Sequence, residues 1–245
     1  MAGLVPAIAV FDSARMDPEN QRTGAFFGRR KGHPLKPRQA ALLDTLLPRL
    51  ALNPSAAPPG DLRTLFDGVG DVRLESGFGG GEHLIAEAER HPRTGFIGIE
   101  PFINGMAKAL AAIDDKKLAN IRLYHGDATE LLPWLPPASL ARIDLLYPDP
   151  WPKRRHWKRR FVQDESVAQI ARLLRPDGEF RFASDIPDYV AWTLVRLLRS
   201  AGFEWTAEQA DDWRKPWPGF TETRYQAKAK REGRTPCYLI FRRKK

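Results

Sequence analysis

Cysteine is almost absent from this sequence: Cys237 is the only one in 245 residues. A single cysteine excludes an internal disulfide bond and a zinc site built from a cysteine cluster, and we expect no metal site. Since 42% of the residues are hydrophobic, the chain can bury a full core without such cross-links. The composition fits a reducing compartment, and we expect a cytoplasmic protein.

Long apolar runs are also lacking. The segment from Met1 to Phe11 is apolar, but it is too short to span a bilayer and no basic region precedes it. We interpret it as a disordered or non-native-like extension. No other run approaches the length of a transmembrane helix, so we expect no association with a membrane.

Acidic residues are fewer than basic ones. The chain has 30 Asp and Glu against 39 Lys and Arg, which gives a formal net charge of +9. This excess favours a polyanionic partner such as nucleic acid. Net charge alone does not exclude an ordinary basic protein, so the placement of the charges has to decide.

The segment from Val72 to Glu82 reads V-R-L-E-S-G-F-G-G-G-E. A short apolar run, a glycine-rich turn and a helix start in this order form a pocket for a nucleotide-like ligand. Glu82 stands where a dinucleotide fingerprint needs its third glycine, and its charge would repel a pyrophosphate, which disfavours NAD. The acid Glu75 before the turn suits the cationic, hydroxyl-rich S-adenosylmethionine. The alternative is a glycine turn without a ligand.

Residues 1–36 are predicted to form a flexible basic arm. The basic residues lie among glycines and prolines, a composition that does not pack a core; they are Arg22, Arg29, Arg30, Lys31, Lys36 and Arg38. Such arms contact nucleic acid backbones, or they remain solvated tails. Residues 37–245 are predicted to form a single domain. It begins with an amphipathic helix over residues 36–50 and a Pro/Ala linker over residues 53–60.

From residue 62 onward, short apolar segments alternate with helical patterns. The predicted strands are 69–75, 95–100, 121–124, 143–147, 179–183, 203–207 and 237–241. The predicted helices are 82–90, 102–113, 161–175 and 188–200. This alternation predicts an α/β fold: a mostly parallel, Rossmann-like sheet of seven strands with helices on both faces.

Carboxylates follow five of the predicted strands. They are Glu75, Glu100, Asp127, Asp149 and Asp185. Since ligands bind at the carboxyl edge of a parallel sheet, these acids are expected to converge on one site. Glu100 is placed to accept from a ribose diol or to cap the next helix. Asp127 is placed to accept from an adenine amine or to serve as a turn residue.

The loop after the fourth predicted strand reads P-D-P-W-P-K, from Pro148 to Lys153. Three prolines restrict the backbone and present Asp149 rigidly. Residues 153–160 then read K-R-R-H-W-K-R-R, in which six of eight residues are basic. We expect the charges to bind RNA phosphates and Trp157 to stack on a base or to pack into the fold. The alternative for the basic residues is a solvated surface.

Four motifs together resemble the bacterial tRNA (guanine-N7)-methyltransferase family. They are E-S-G-F-G-G-G from Glu75, G-I-E ending at Glu100, G-D-A around Asp127, and P-D-P-W-P-K around Asp149. A fifth segment, T-E-T-R-Y-Q-A-K from Thr221, resembles the family's substrate-contacting segment. The resemblance implies a class I methyltransferase fold with strand order 3-2-1-4-5-7-6. It also implies S-adenosylmethionine as donor and guanosine 46 of the tRNA variable loop as acceptor.

The resemblance assigns roles to individual residues. It implies cofactor binding by Glu75, Gly77, Gly79, Glu100, Asp127 and Asp149, with Asp149 also catalytic. It implies substrate binding by Lys153, Asp185, Thr223, Arg224, Tyr225 and Gln226. Gln226 stands where the family has glutamate, which puts a carboxylate role there in doubt, and Ser76 replaces an apolar residue.

Two other functions stay open from the sequence. One is a methyltransferase that acts on a protein or a small molecule, which the basic arm and the K-R-R-H-W-K-R-R segment disfavour. The other is an RNA-binding module on a vestigial methyltransferase scaffold, which the intact acids at the strand ends disfavour. The expected partner is tRNA, and no obligate protein partner is evident.

Overall fold

The computed structural model describes residue 28 and residues 32–245. The strands are β1 (Asp71–Ser76), β2 (Thr94–Ile99), β3 (Ile121–Tyr124), β4 (Leu140–Leu146), β5 (Leu174–Ser184), β6 (Phe203–Trp205) and β7 (Cys237–Arg243). The helices are α1 (Pro37–Thr45), α2 (Leu47–Leu50), α3 (Glu82–Arg90), α4 (Ile103–Lys116), α5 (Ala128–Leu131), α6 (Asp164–Leu173), α7 (Pro187–Arg199), α8 (Asp211–Arg214) and α9 (Arg224–Arg231). Short 3-10 helices cover Leu62–Leu65, Leu132–Trp134 and Arg154–Arg159.

The seven strands form one sheet in the order β3-β2-β1-β4-β5-β7-β6. The first five strands pair in parallel, whereas β7 lies antiparallel between β5 and β6. The predicted fold class and strand order are therefore confirmed. Because β1 to β5 all run the same way, their carboxyl ends meet at one edge, which we call the upper edge.

The core lies on both faces of the sheet. All six residues of β2 are buried, as expected of a strand covered on both sides. One apolar cluster joins β1 to α6 and α7 through side chains such as Leu74, Val167 and Leu197. The other packs α3 and α4 on the opposite face, through side chains such as Leu84 and Leu110.

Several predicted boundaries were wrong, including those of two helices and of the strand predicted over 179–183. The helix predicted over 36–50 is divided at Leu46, because Pro48 lacks an N–H and its ring blocks a continuous helix. The helix predicted over 161–175 runs only from Asp164 to Leu173. Strand β5 begins directly at Leu174, which pairs with Leu140 before the register shifts and Glu179 pairs with Arg142.

The base of the predicted arm is held against the domain. The N–H of Gly32 donates to Asn104 Oδ1 at 2.7 Å, and Asn104 Nδ2 donates to the carbonyl of His33 at 2.7 Å. Of the basic residues predicted for the arm, Lys36 is exposed and Arg38 pairs with Asp114 of α4 at 2.8 Å, while those at positions 22 and 29–31 lie outside the described residues. Within the described part of the chain, no helix combines the length and the apolar character needed to cross a membrane.

Candidate active site

The glycine loop between β1 and α3 closely approaches the start of α4. A Cβ atom at Gly105 would lie 2.2 Å from the carbonyl oxygen of Gly79 and 3.2 Å from the Glu100 side chain. No side chain fits in this space, so Gly105 allows the loop to rest directly on α4. On the other side of the loop, a Cβ atom at Gly77 would meet nothing within 4 Å. The loop therefore has one packed side and one open side.

Glu100 is bound to this loop by its carboxylate. Its Oε2 accepts from the N–H of Gly79 at 2.6 Å, and its Oε1 accepts from the N–H of Phe102 at 2.8 Å. Only 6% of the residue is exposed. Burial raises the pKa of Glu100 to about 7, opposed by the two backbone hydrogen bonds and by the charge of Arg224, while Asp149 adds to the rise. Glu100 thus feels the charges of both Asp149 and Arg224.

Asp149 projects from a restricted loop at the upper edge. Tyr147 and Trp151, on either side of Pro148-Asp149-Pro150, have φ angles of 51° and 42°. Such angles are unfavourable for bulky residues and are concentrated at functional sites. The Asp149 side chain is exposed, yet desolvation by the surrounding loops raises the pKa of its carboxyl. The restricted loop therefore presents one exposed acid at the upper edge.

The basic segment after this loop is divided between surface and interior. Lys153, Arg154, Arg155 and Lys158 are exposed. Arg160 is 2% exposed, so the expectation that all six bases bind phosphates is wrong for Arg160. Trp157 packs edge-to-face on Trp192, with ring centroids 5.4 Å apart. Of the two roles predicted for Trp157, stacking on a base or packing into the fold, the structure shows packing. The exposed bases follow the Asp149 loop in the chain and form what we call the basic edge.

The segment predicted to bind substrate begins α9 and lies over the glycine loop. A Cβ atom at Gly79 would be 3.1 Å from Arg224 Nη2 and 3.1 Å from the Tyr225 ring. Thr223 caps the helix, since its Oγ1 accepts from the N–H of Gln226 at 3.2 Å. Gln226 is 4% exposed and donates to the Tyr238 hydroxyl at 2.7 Å. Arg224 and Tyr225 therefore face the site, whereas Thr223 and Gln226 are buried.

The remaining predicted acids have partners within the protein. Glu75 is buried and bonds His83 Nδ1 at 2.8 Å. Asp127 accepts from the N–H of Thr129 at 2.9 Å and so caps α5. Asp185 pairs with Arg234 Nε at 2.5 Å. The structure brings Gly79, Glu100, Asp149, Arg224 and Tyr225 into one region, while Lys153 lies exposed at the basic edge.

A family model described as "Putative methyltransferase" matches residues 70–239. A tRNA (guanine-N(7)-)-methyltransferase of Nitrobacter hamburgensis is 61% identical over 94% of this chain and 96% of its own length. One of Bradyrhizobium diazoefficiens is 62% identical over 94% of this chain and 98% of its own length. The chain belongs to the tRNA (guanine-N7)-methyltransferase family. It is therefore a methyltransferase, as the motifs predict.

Solved structures support the fold of this family member. The 16S rRNA methyltransferase KamB superposes with a TM-score of 0.54 at 20% identity, covering 75% of this chain and 92% of KamB. TrmN from Thermus thermophilus superposes with a TM-score of 0.50 at 17% identity, covering 74% of this chain and 47% of TrmN. At these identities the likeness concerns the fold, and it agrees with the Rossmann-like sheet.

Sequence reasoning missed a buried charged network beneath the glycine loop. His83 bonds Glu75, and Arg142 bonds Asp144 Oδ2 at 2.8 Å and also Glu87. Burial raises the pKa of the Glu75 carboxyl, and the neighbouring Glu75 charge raises the pKa of the His83 imidazole against its own burial. The presence of Arg142 and Asp144 in the otherwise apolar strand β4 could have indicated such a network. The sequence does not show that Glu87 and His83, which complete it, come from α3. The network fixes the orientation of Glu75 below the loop.

Helix α3 also holds residues 219–221, which precede α9 in the chain. Arg90 donates to the carbonyl of Gly219 and, at 2.8 Å, to Thr221 Oγ1. Phe220, between them, lies against His83 with ring centroids 5.7 Å apart. Helix α3 thus contacts both the acid before the glycine loop and the segment that carries Arg224 over that loop.

Proposed function

We propose that this protein transfers the methyl group of S-adenosylmethionine to N7 of guanosine 46 in the tRNA variable loop. The observation that carries the proposal is the meeting of three predicted residues at the upper edge. Glu100 of the cofactor set, the catalytic candidate Asp149 and Arg224 of the substrate set lie within electrostatic range of one another. The names of the relatives supply the tRNA and the guanine N7 specificity.

The shape and donor set of the site fit S-adenosylmethionine. The open side at Gly77 leaves room beside the loop, and the acids at the strand ends accept from hydroxyl, amino and ammonium groups. We assign its binding to Glu75, Gly77, Gly79, Glu100, Asp127 and Asp149. When bound, the cofactor supplies an activated methyl group on a sulfonium. Glu75 and Asp127 act through the faces that their bonds to His83 and Thr129 leave available.

The reaction makes modest demands on the side chains. Guanine N7 carries an in-plane lone pair and no proton, so attack needs no strong general base. The main requirement is an aligned approach to the methyl group. The base becomes cationic as the methyl group arrives, and a fixed carboxylate stabilises that charge. Asp149 fits this role, because it is the acid of a loop whose backbone is restricted by three prolines and by the positive φ angles of Tyr147 and Trp151.

The tRNA is assigned to the basic edge and to the start of α9. Lys153 and its exposed neighbours contact the backbone, and Arg224 and Tyr225 contact the guanosine. The guanosine has to leave its stack to reach the site, which costs a few kcal/mol. Asp185 and Gln226 support this substrate site from below its surface, because Asp185 is paired with Arg234 and Gln226 is hydrogen-bonded to Tyr238. We place the reaction in the cytoplasm, where tRNA is found.

The proposal is tested by incubating the protein with unmodified tRNA and S-adenosylmethionine and mapping methylated nucleosides by mass. We expect 7-methylguanosine at position 46 and none in a tRNA whose G46 is replaced by adenosine. Methylation of bulk protein instead of tRNA would favour the alternative function, a methyltransferase that acts on proteins. Absence of S-adenosylmethionine binding in calorimetry would favour an RNA-binding module.

A further inference from the structure

Arg160 has surroundings unlike those of the other bases in its segment. The neighbouring exposed bases project into solvent, whereas the Arg160 residue is 2% exposed. Its guanidinium lies among three aromatic rings, at 5.0 Å from Trp157, 5.0 Å from Tyr189 and 4.9 Å from Trp192. Arginine favours such stacked sites because its planar cation is weakly hydrated. The residue is therefore part of the interior.

The polar bonds of Arg160 lead to the catalytic loop. Its Nε donates to the carbonyl of Pro150 at 2.8 Å, and its Nη2 donates to Asp188 in the first turn of α7. Pro150 directly follows Asp149 and lies between the two residues with positive φ. Proline has no N–H, so its carbonyl is the polar backbone group by which this residue can be held. Arg160 thus joins the Asp149 loop to a helix of the core.

The position of this bond matters for catalysis. Burying a charge is costly unless it is paired and hydrogen-bonded. Arg160 meets this need through Nε and Nη2, while the aromatic rings surround the guanidinium and Nη1 has no hydrogen-bond partner among the described residues. That geometry fixes the Pro150 carbonyl and, through the restricted backbone, the Cα of Asp149. Methyl transfer to an existing lone pair depends mainly on alignment.

We propose that Arg160 is a positioning residue that holds the Asp149 loop in its reactive geometry, and does not bind tRNA phosphate. The proposal rests on the function assigned above to Asp149. It divides the basic segment into a surface part that contacts nucleic acid and one buried base that acts through the protein backbone.

The main test uses Arg160→Met, which fills the aromatic cage without donating hydrogen bonds. With saturating tRNA, we expect the single-turnover rate to fall roughly 100-fold, while the Kd values for tRNA and S-adenosylmethionine change less than about threefold. Arg160→Lys keeps the charge and one donor, so its single-turnover rate should lie between those of the wild type and Arg160→Met. A wild-type rate in Arg160→Met, or a loss confined to tRNA affinity, would overturn the proposal.

Arg172→Met is the matched control. Arg172 also holds backbone carbonyls, those of Leu132 at 2.7 Å and Leu135 at 2.9 Å, but these lie before β4, at the edge opposite Asp149. We expect reduced stability with an unchanged single-turnover rate. An equal fall in rate in both variants would assign Arg160 a general structural role and reject the proposal.

Two measurements keep the inference decidable. If Arg160→Met fails to fold, Asp188→Asn removes the counter-charge from the surface side, and an unchanged rate in that variant contradicts the proposal. Crystal structures of the wild type and Arg160→Lys report the position of the Asp149 carboxylate without any assay. An unmoved Asp149 overturns the positioning role, whereas a wild type that forms no 7-methylguanosine overturns the proposed function alone.

Discussion

Glu100 accepts a 2.6 Å hydrogen bond from the N–H of Gly79, so the acid that follows β2 holds the glycine loop that follows β1. The two residues are 21 positions apart in the chain. Their bond explains why an acid is found at this strand end even before a ligand is considered. It also makes the ionisation of Glu100 a property of the whole loop.

Glu100→Gln should change the pH dependence of cofactor binding. The pKa of Glu100 is raised to about 7 by burial, so its carboxylate becomes charged between pH 6 and 8. Since the charged form accepts more strongly from ribose hydroxyls, wild-type affinity for S-adenosylmethionine should rise over this range. Calorimetry of the variant should give roughly tenfold weaker binding with little pH dependence. A parallel pH profile in both proteins would contradict this assignment.

The same shift has a consequence for stability, with a defined sign. An acid whose folded-state pKa is raised binds more protons folded than unfolded, so it disfavours the folded state increasingly as pH rises from its ordinary value to about 7. The difference in unfolding temperature should therefore move in favour of Glu100→Gln between pH 5 and pH 8. Thermal unfolding at both pH values checks the sign.

Asp149→Asn should separate catalysis from binding. The substitution keeps the shape of the side chain but removes the charge that we propose stabilises the cationic base. We expect the single-turnover rate to fall ~10² to 10³-fold, with S-adenosylmethionine affinity changed only a few fold. Rapid-quench measurement of 7-methylguanosine tests this. Wild-type methyl transfer by the variant would reject the catalytic role.

Reversing charge on the basic edge should weaken tRNA binding in a salt-dependent manner. In Arg154→Glu/Arg155→Glu, the slope of log Kd against log salt should decrease by about one for each phosphate that the protein no longer neutralises. Lys117→Glu/Lys245→Glu is a matched control, since these side chains are 80% and 84% exposed and lie at the opposite edge of the sheet. Equal slopes in the two double variants would argue against the basic edge.

Gly105→Ala should disrupt the packing of the glycine loop. The new methyl group would lie 2.2 Å from the Gly79 carbonyl oxygen, so the loop or α4 has to move. Overpacking of this kind costs about 1–3 kcal/mol, and S-adenosylmethionine affinity should fall with it. Gly60→Ala is the control, because a Cβ atom there meets nothing within 4 Å. Denaturant unfolding and calorimetry on both variants distinguish the outcomes.

The fold could be predicted because its signals are local. Apolar runs, glycine turns and strand-end acids each lie within a few residues, and the parallel sheet follows from their alternation. The roles of Arg160 and Glu75 could not be predicted in this way. All bases in K-R-R-H-W-K-R-R look alike in sequence, and the burial of one depends on Tyr189 and Trp192, which come much later in the chain. Likewise, the bond from Glu75 to His83 depends on how α3 rotates over the sheet.

Thr223 and Gln226 illustrate a second limit. A substrate motif and a helix cap use the same residue types, and the sequence cannot distinguish them. Thr223 caps α9 and Gln226 bonds Tyr238, so both act on the helix that carries Arg224 and Tyr225. Whether they also touch the nucleotide stays a prediction.

The last strand, β7, lies between β5 and β6 in the sheet. During synthesis β6 therefore leaves the ribosome before its neighbour exists, and the sheet closes only when residues 237–243 emerge. The helix that covers Gly79 is made in the same final stage. A chain that stops before residue 224 lacks both β7, which joins β6 to the rest of the sheet, and the helix that carries Arg224 and Tyr225 over the glycine loop.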